Sequence, residues 1–300
     1  MNQDLSGVVA VVSGSSRGIG SGIARALGRH GATVYVTGRT AQAGQSPYKG
    51  SVAEVAEQVD AAGGKGIGVI CDFGSDEQIA ALFERVAAEQ NGRLHILVNN
   101  AAHLTEESSL IAPFWEKSLD TIRLLDVGLR SSFVASWHAA RLMVPQRRGL
   151  IVNTSTYSVL SSMIGLGPVY GTQKVGQDRL AFELAVELRP HAVAAVSYWY
   201  GAVATERHLA AAAKAGGEGY GAGSAGSFRV VESTEFSGHV MAAMYHDPKL
   251  MERSGQALIV AELALEYGIR DADGVQPPSY REYFGGPPAP NPQTSPPTAA

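Results

Sequence analysis

Tyr170 and Lys174 stand four residues apart, a spacing that puts both on one face of a helix. A phenol is a poor acid or base at neutral pH because its reference pKa is about 10, but a neighbouring ammonium stabilises the phenolate and lowers that value. Such a pair could exchange a proton with an oxygen atom of a small molecule. Pro168 is a helix start signal, and the segment it opens is helix-like to about Arg189. Before it, Leu150-Ile-Val-Asn153 reads as a strand whose end carries hydroxyls at Ser155, Thr156 and Ser158. Tyr-x-x-x-Lys occurs on many helices, so the pair gains weight only from a second site that brings it a reactant.

That second site lies after the first strand. Val8-Val-Ala-Val-Val12 runs directly into Ser13-Gly14-Ser15-Ser16-Arg17-Gly18-Ile19-Gly20, followed by a helix expected from Ser21 to His30. Glycines at 14, 18 and 20 allow a tight turn, a close backbone approach and close helix-strand packing, while the helix start offers free N–H groups to a pyrophosphate. A dinucleotide is the expected ligand. The same residues also satisfy Gly-x-Ser-x-Gly, the nucleophile elbow of a hydrolase, which would make Ser16 an acyl-transfer nucleophile. That elbow needs an oxyanion donor from an earlier strand, and here nothing precedes it. After the second strand, Thr33-Val-Tyr-Val36, a site for NAD usually carries a carboxylate for the ribose 2′-hydroxyl. Thr37-Gly38-Arg39-Thr40 carries none, and Arg39 with Arg17 could pair with a 2′-phosphate, so NADP(H) is expected over NAD(H).

Both sites require a frame, and the chain supplies one. Short Val- and Ile-rich runs at Val8–Val12, 33–36, 66–70, 96–98, 150–153, 193–199 and 257–260 alternate with amphipathic stretches such as 76–90. Buried parallel strands read this way, and the alternation predicts one doubly wound α/β domain over residues 1–284. Six of the 14 prolines crowd between Pro287 and Pro297, so residues 285–300 are expected as a flexible tail.

Composition excludes several functions. The 300 residues are 45% hydrophobic and 17% charged, a balance that buries a core. A net charge of -4, with no basic block longer than Arg147-Arg148, argues against nucleic acid. No run is long and apolar enough for a membrane span and the first residues lack a signal-peptide pattern, so a cytoplasmic protein is expected. Cys71 is the only cysteine and the eight histidines are scattered without metal-ligand spacing, so no metal site is expected.

Taken in order, these motifs resemble the short-chain dehydrogenase/reductase family. Besides the glycine loop and Tyr170/Lys174, the likeness includes Asp72 in Cys71-Asp72-Phe73, Asn99-Asn100-Ala101-Ala102 after the fourth strand, and Gly201-Ala-Val-Ala-Thr205 after the sixth. It spans roughly residues 5 to 262. The resemblance implies a Rossmann-type sheet of seven strands and carbonyl-alcohol interconversion with a nicotinamide cofactor. It makes Tyr170 the general acid/base, gives Lys174 the tasks of lowering its pKa and holding the nicotinamide ribose, and has Ser155 hydrogen-bond the reacting oxygen. The cofactor would contact Gly14, Ser16, Arg17, Gly18, Ile19, Gly20 and Arg39. Asp72 and Phe73 would lie on its adenine side, Asn99 and Ala101 beside it at the central sheet, and Val203 and Thr205 at the nicotinamide amide. Phe114-Trp115-Glu116, Val127-Gly-Leu-Arg130 and Tyr267-Gly-Ile-Arg-Asp-Ala-Asp-Gly274 resemble a subgroup that reduces ketones and aldehydes, steroid-like and xenobiotic carbonyls among them. The resemblance also implies a homodimer or homotetramer pairing through helices at 119–144 and 169–189.

Three positions depart from the family pattern. Gly128 stands where the family often has an asparagine that holds a proton-relay water. Ser155 precedes Tyr170 by 15 residues, more than the usual dozen, which leaves Thr156 and Ser158 as alternative hydroxyls. Tyr200 replaces the proline usual before Gly201 and is expected to line the pocket. These departures leave open a non-redox reading, a lyase, isomerase or nucleotide-binding protein on the same fold. The substrate side is expected from residues 206–232, where glycines crowd 216–226 and suggest a mobile lid with Tyr220 and Phe228 as apolar contacts.

Overall fold

The computed structural model describes residues 3–42, 44, 48–109, 112–157, 167–214 and 230–288. Seven parallel strands form a single sheet in the order β3-β2-β1-β4-β5-β6-β7. The first half builds β1 (Val9–Val12), α1 (Gly18–Arg29), β2 (Thr33–Gly38), α2 (Val52–Ala61), β3 (Lys65–Ile70), α3 (Asp76–Glu89) and β4 (Ile96–Asn99). The second half builds α4 (Arg123–Leu125), α5 (Ser131–Gln146), β5 (Gly149–Ser155), α6 (Gly167–Leu188), β6 (Val193–Trp199), α7 (Glu206–Lys214), α8 (Phe236–Tyr245), α9 (Leu250–Arg253), β7 (Ala257–Ile259), α10 (Val260–Tyr267) and α11 (Arg281–Phe284).

The uninterrupted apolar runs of the central strands follow from burial on both faces. Along β1 the side chains alternate: Ala10 and Val12 enter the core shared with α1, α2 and α8, while Val9 and Val11 enter the one shared with α3 and α5. Edge strand β3 is different, with Lys65 and Ile70 exposed. Ser51 and Ser75 cap α2 and α3 by accepting from the N–H groups of Glu54 and Gln78.

Two expectations need correction. The helix expected from 119 to 144 is broken: residues 119–130 form a 3-10 turn, the short α4 and a π-turn at Asp126–Arg130, and only then does α5 begin. The first helix starts at Gly18 rather than Ser21, so Gly18, Ile19 and Gly20 lie inside its first turn. The proposed lid at 216–226, with Tyr220 and Phe228, and residues 289–300 of the tail lie outside the described residues.

Close packing of α1 against the segment leading to α8 depends on Gly22. A Cβ there would lie 1.9 Å from the carbonyl oxygen of Thr234, which is backbone and can yield only by moving α8 away. Gly22→Ala is therefore expected to destabilise the fold by about 1–3 kcal/mol, the usual cost of overpacking, seen as a lower Tm in thermal unfolding.

Candidate active site

The ends of β1, β2, β4, β5 and β6 converge at the carboxyl edge of the sheet, where ligands bind in open α/β folds. The loop after β1 is compressed there. A Cβ on Gly14 would approach Ala101 Cα to 2.8 Å, and one on Gly20 would lie 2.5 Å from Asn100 Nδ2 and 2.6 Å from Gly14 O. Gly14 and Gly18 adopt φ of 61° and 59°, which favours glycine. Ser13 and Asn100 fasten the β1 and β4 loops together: Ser13 Oγ accepts from the N–H groups of Asn100 and Ala101, and Asn100 Nδ2 donates to the carbonyls of Ser13 and Gly14.

The start of α1 holds an oxyanion of the protein's own. Gly18 N–H donates to Glu206 Oε2 at 2.9 Å, at the place a pyrophosphate would take on this helix. The stand-in carboxylate and the glycine cradle fit a dinucleotide. Arg17 Nη2 donates to Thr40 Oγ1 at 2.7 Å and to Gly50 O at 3.0 Å, which ties the glycine loop to the end of β2. Arg39 is exposed beside it; burial lowers the Arg17 pKa against the pull of Glu206, and the positive charge of Arg39 adds to the fall. Asp72 Oδ1 accepts from Gly74 N–H and Phe73 is buried next to it. Asn99 Nδ2 donates to Asn153 Oδ1 at 2.8 Å and Ser136 Oγ at 3.0 Å, so it braces β4 against β5 and α5.

Helix α6 lies across β5 and β6 and carries both Tyr170 and Lys174. The Lys174 ammonium is 5.4 Å from the centre of the Tyr170 ring and donates to Thr154 O at 3.1 Å. Burial pushes the Lys174 pKa down to about 8, while the charge of Asp178 resists the fall. Ser155 is buried on the α6 side of β5, its hydroxyl donating to Lys174 O at 3.0 Å. Thr156 is half-buried, and Ser158 lies outside the described residues. Three other tyrosines near the site are core residues: Tyr157, whose pKa burial pushes up to about 12, and Tyr198 and Tyr200, whose pKa values burial also raises.

Gly128 lies in the π-turn, and its carbonyl accepts from Gln173 Nε2 at 3.0 Å, Ser132 Oγ at 3.1 Å and Gln177 Nε2. A Cβ at Gly128 would come within 3.0–3.2 Å of the Gln173 side chain, so the small residue there makes room for that amide. Tyr200 does not line the pocket: its side chain follows Tyr198 into the α8 core because successive strand positions alternate in direction. Val203 pairs with Glu232 in an isolated parallel bridge, and the buried Glu232 carboxylate accepts from Gly201 N–H at 2.9 Å. Burial pushes the Glu232 pKa up to about 8. Thr205 Oγ1 accepts from His208 N–H and so caps α7.

Tyr170 opens onto a shallow, solvent-open cleft lined mainly by the apolar Phe114, Leu119, Ile122, Leu124, Pro168 and Val169, with Lys117 and Thr121 among its polar residues. These walls come from residues 108–124 and the start of α6, while residues 215–229 of the segment expected on the substrate side lie outside the described residues. Gln173, Gln177 and Asp178 share α6 with Lys174, but Glu206 and Glu232 carry no motif spacing toward the site. Tertiary folding alone brings them there.

The family described as short chain dehydrogenase matches residues 8–215. Human dehydrogenase/reductase SDR family member 1 is 39% identical over 282 residues, covering 91% of this chain and 86% of its own length. Tropinone reductase-like 2 of Erythroxylum coca is 32% identical over 190 residues, 63% of this chain and 64% of its own. Among solved structures, a short chain dehydrogenase of Mycobacterium thermoresistibile shares the fold at a TM-score of 0.74 and 23% identity, covering 92% of this chain and 93% of that one. A Serratia marcescens short-chain dehydrogenase/reductase mutant gives 0.67 at 27% identity, over 85% of this chain and 97% of that one.

Because the Glu206 carboxylate occupies the oxyanion seat on α1, Glu206→Gln should tighten binding of a reduced nicotinamide dinucleotide. A charge at a helix terminus is worth about 0.3–1 kcal/mol, so the Kd from cofactor fluorescence titration should fall about two- to fivefold. Weaker binding would instead make the carboxylate part of the bound site.

Proposed function

The chain belongs to the short-chain dehydrogenase/reductase family, and on that premise we propose that it is an NADP(H)-dependent oxidoreductase interconverting a carbonyl and an alcohol. Family membership makes it an oxidoreductase that uses a nicotinamide cofactor. The observation that carries the finer reading is Tyr170 and Lys174 on one face of α6, at the wall of an apolar cleft, with the ammonium 5.4 Å from the ring.

The bound dinucleotide supplies the hydride donor or acceptor. Gly14, Ser16, Gly18, Ile19 and Gly20 cradle its phosphates, while Arg17 and Arg39 receive the 2′-phosphate that distinguishes NADP(H). Asp72 and Phe73 border the adenine, Asn99 and Ala101 the central sheet, and Val203 and Thr205 the amide of the ring. In the reducing direction Tyr170 gives its phenolic proton to the substrate oxygen, and in the oxidising direction it takes it back. Lys174 lowers the cost of the phenolate by its charge. Ser155, whose hydroxyl donates to Lys174 O when no substrate is bound, would turn that donor to the reacting oxygen. Phe114, Leu119, Ile122, Pro168 and Val169 offer the substrate an apolar wall, which favours carbonyl compounds with a hydrophobic flank. Among the described residues no helix is long and apolar enough to cross a membrane. Exposed Phe133 and Trp137 on α5 and Val175 on α6 support a homodimer or homotetramer assembled through these two helices.

Tyr170→Phe should retain NADPH affinity and lose turnover of apolar ketones by about 10²-fold or more, the usual share of general acid-base catalysis, in an absorbance assay of NADPH oxidation. Full activity in that variant would remove Tyr170 from the reaction, and a wild type that binds NADPH without consuming it would favour a non-redox lyase or isomerase. Arg39→Ala should weaken NADPH binding about tenfold to hundredfold, the worth of a charge-assisted hydrogen bond, and leave NADH binding nearly unchanged. Equal effects on both cofactors would contradict the assignment of the 2′-phosphate to Arg39.

A further inference from the structure

Asp178 follows Lys174 by one turn of α6, and its carboxylate is locked against β6 instead of being solvated. It accepts from Trp199 Nε1 at 3.0 and 3.1 Å and from Ser197 Oγ; burial raises its pKa above the ordinary carboxylate value, and the hydrogen bonds from Ser197, Trp199 and Ser155 resist that rise. Lys174 is 9% exposed and its Nζ donates to a backbone carbonyl, Thr154 O, which is a dipole and not a counter-charge. An ammonium buried without an opposite charge is strongly disfavoured. On the α5 side the Gly128 carbonyl is already taken by Gln173, Gln177 and Ser132, so the segment that carries a relay asparagine in much of the family offers Lys174 no charge. Asp178 is not in ion-pair contact with Lys174, but it stands one turn away on the same face of α6, and its charge holds the Lys174 pKa up against burial. The remaining neighbours of the pair are Thr154 and Ser155 from β5 and Ser197 and Trp199 from β6, which do not titrate in this range, and Tyr170 one turn earlier on α6.

We propose that Asp178 is a positioning residue: anchored to β6 by Trp199 and Ser197, it supplies the counter-charge that keeps Lys174 an ammonium beneath Tyr170 and steadies Ser155 beside it. Its consequence for turnover rests on the reductase reading above, whereas the charge coupling stands independently of it.

The test uses Asp178→Asn, whose amide oxygen can still accept from Trp199 and Ser197 while the charge is gone. Two readouts are taken on the full chain. The first is an NMR titration of 13Cε-labelled lysine, with Lys174 assigned by the resonance missing in Lys174→Arg. The second is the pH profile of kcat/KM for an apolar ketone with NADPH. Loss of the carboxylate should lower the Lys174 pKa from about 8 by about one unit, the ordinary effect of one nearby charge. The alkaline limb of the profile should move to lower pH with it, and Asp178→Glu, which keeps the charge, should stay near the wild type in both. An unchanged Lys174 titration overturns the proposal. A titration that moves while the wild-type alkaline limb and its variant's coincide overturns the role in turnover. If no form of the protein oxidises NADPH, the reductase reading falls, and the titration alone decides the charge coupling. Should Asp178→Asn fail to fold, Asp178→Glu with Trp199→Phe, which removes one anchor, is read by the same titration and should lower the Lys174 pKa; no change there overturns the anchoring.

Discussion

An ammonium buried against the end of β5 is the constraint around which the site is arranged. Lys174 can lie there only because α6 crosses the sheet where Thr154 presents a carbonyl, because Ser155 fastens the helix backbone at that point, and because Asp178 reaches β6 from the next turn. Each of these contacts joins two elements, so the geometry of the charge and the packing of β5, β6 and α6 cannot be changed separately. Tyr170 is one turn back on the same helix and opens onto the apolar cleft, so a rigid core delivers one reactive group to a solvent-accessible edge.

The cofactor half of the site obeys a complementary constraint, absence of side chains. Gly14 lets the β1 loop touch the loop after β4 at Ala101, and Gly20 lets Asn100 reach into the first turn of α1. The N–H groups left at the start of that helix attract an oxyanion, and Glu206, which directly follows Thr205, provides one. The two halves are thereby linked: the loop assigned to the nicotinamide leads into the residue that sits on the phosphate seat. Glu232 pins the same loop from behind, through Gly201 N–H and the bridge to Val203.

The frame was legible in the sequence because buried parallel strands carry continuous Val and Ile runs. The strand at 193–199 coincides with β6, and the third helix, expected at 76–90, forms over Asp76–Glu89. Errors arose where local pattern and backbone geometry part. The family resemblance implied an unbroken helix over 119–144, but Gly128 weakens it and the amides of Gln173 and Gln177 draw its carbonyl out of regular geometry into a π-turn. Tyr200 looked like a pocket residue from its neighbour Gly201, yet strand alternation sends its ring to the opposite side. Tyr170, Lys174 and the glycine loop could be recognised because their spacing is itself the geometry. Glu206 and Glu232 could not, since their partners Gly18 and Gly201 lie 188 and 31 residues away, and for Asp178, one turn from Lys174, only the anchor on Trp199, 21 residues on, was hidden.

The central claim is that this edge of the sheet passes hydride between a nicotinamide and a carbonyl carbon while Tyr170 handles the proton. Its most direct test is to supply NADPH deuterated at one of the two C4 positions, in separate reactions for each, with an apolar ketone, and to measure the mass of the alcohol formed. The account predicts deuterium on the carbinol carbon from one C4 form and none from the other. Alcohol without deuterium from either form, or NADPH left unoxidised across a panel of apolar ketones, contradicts it.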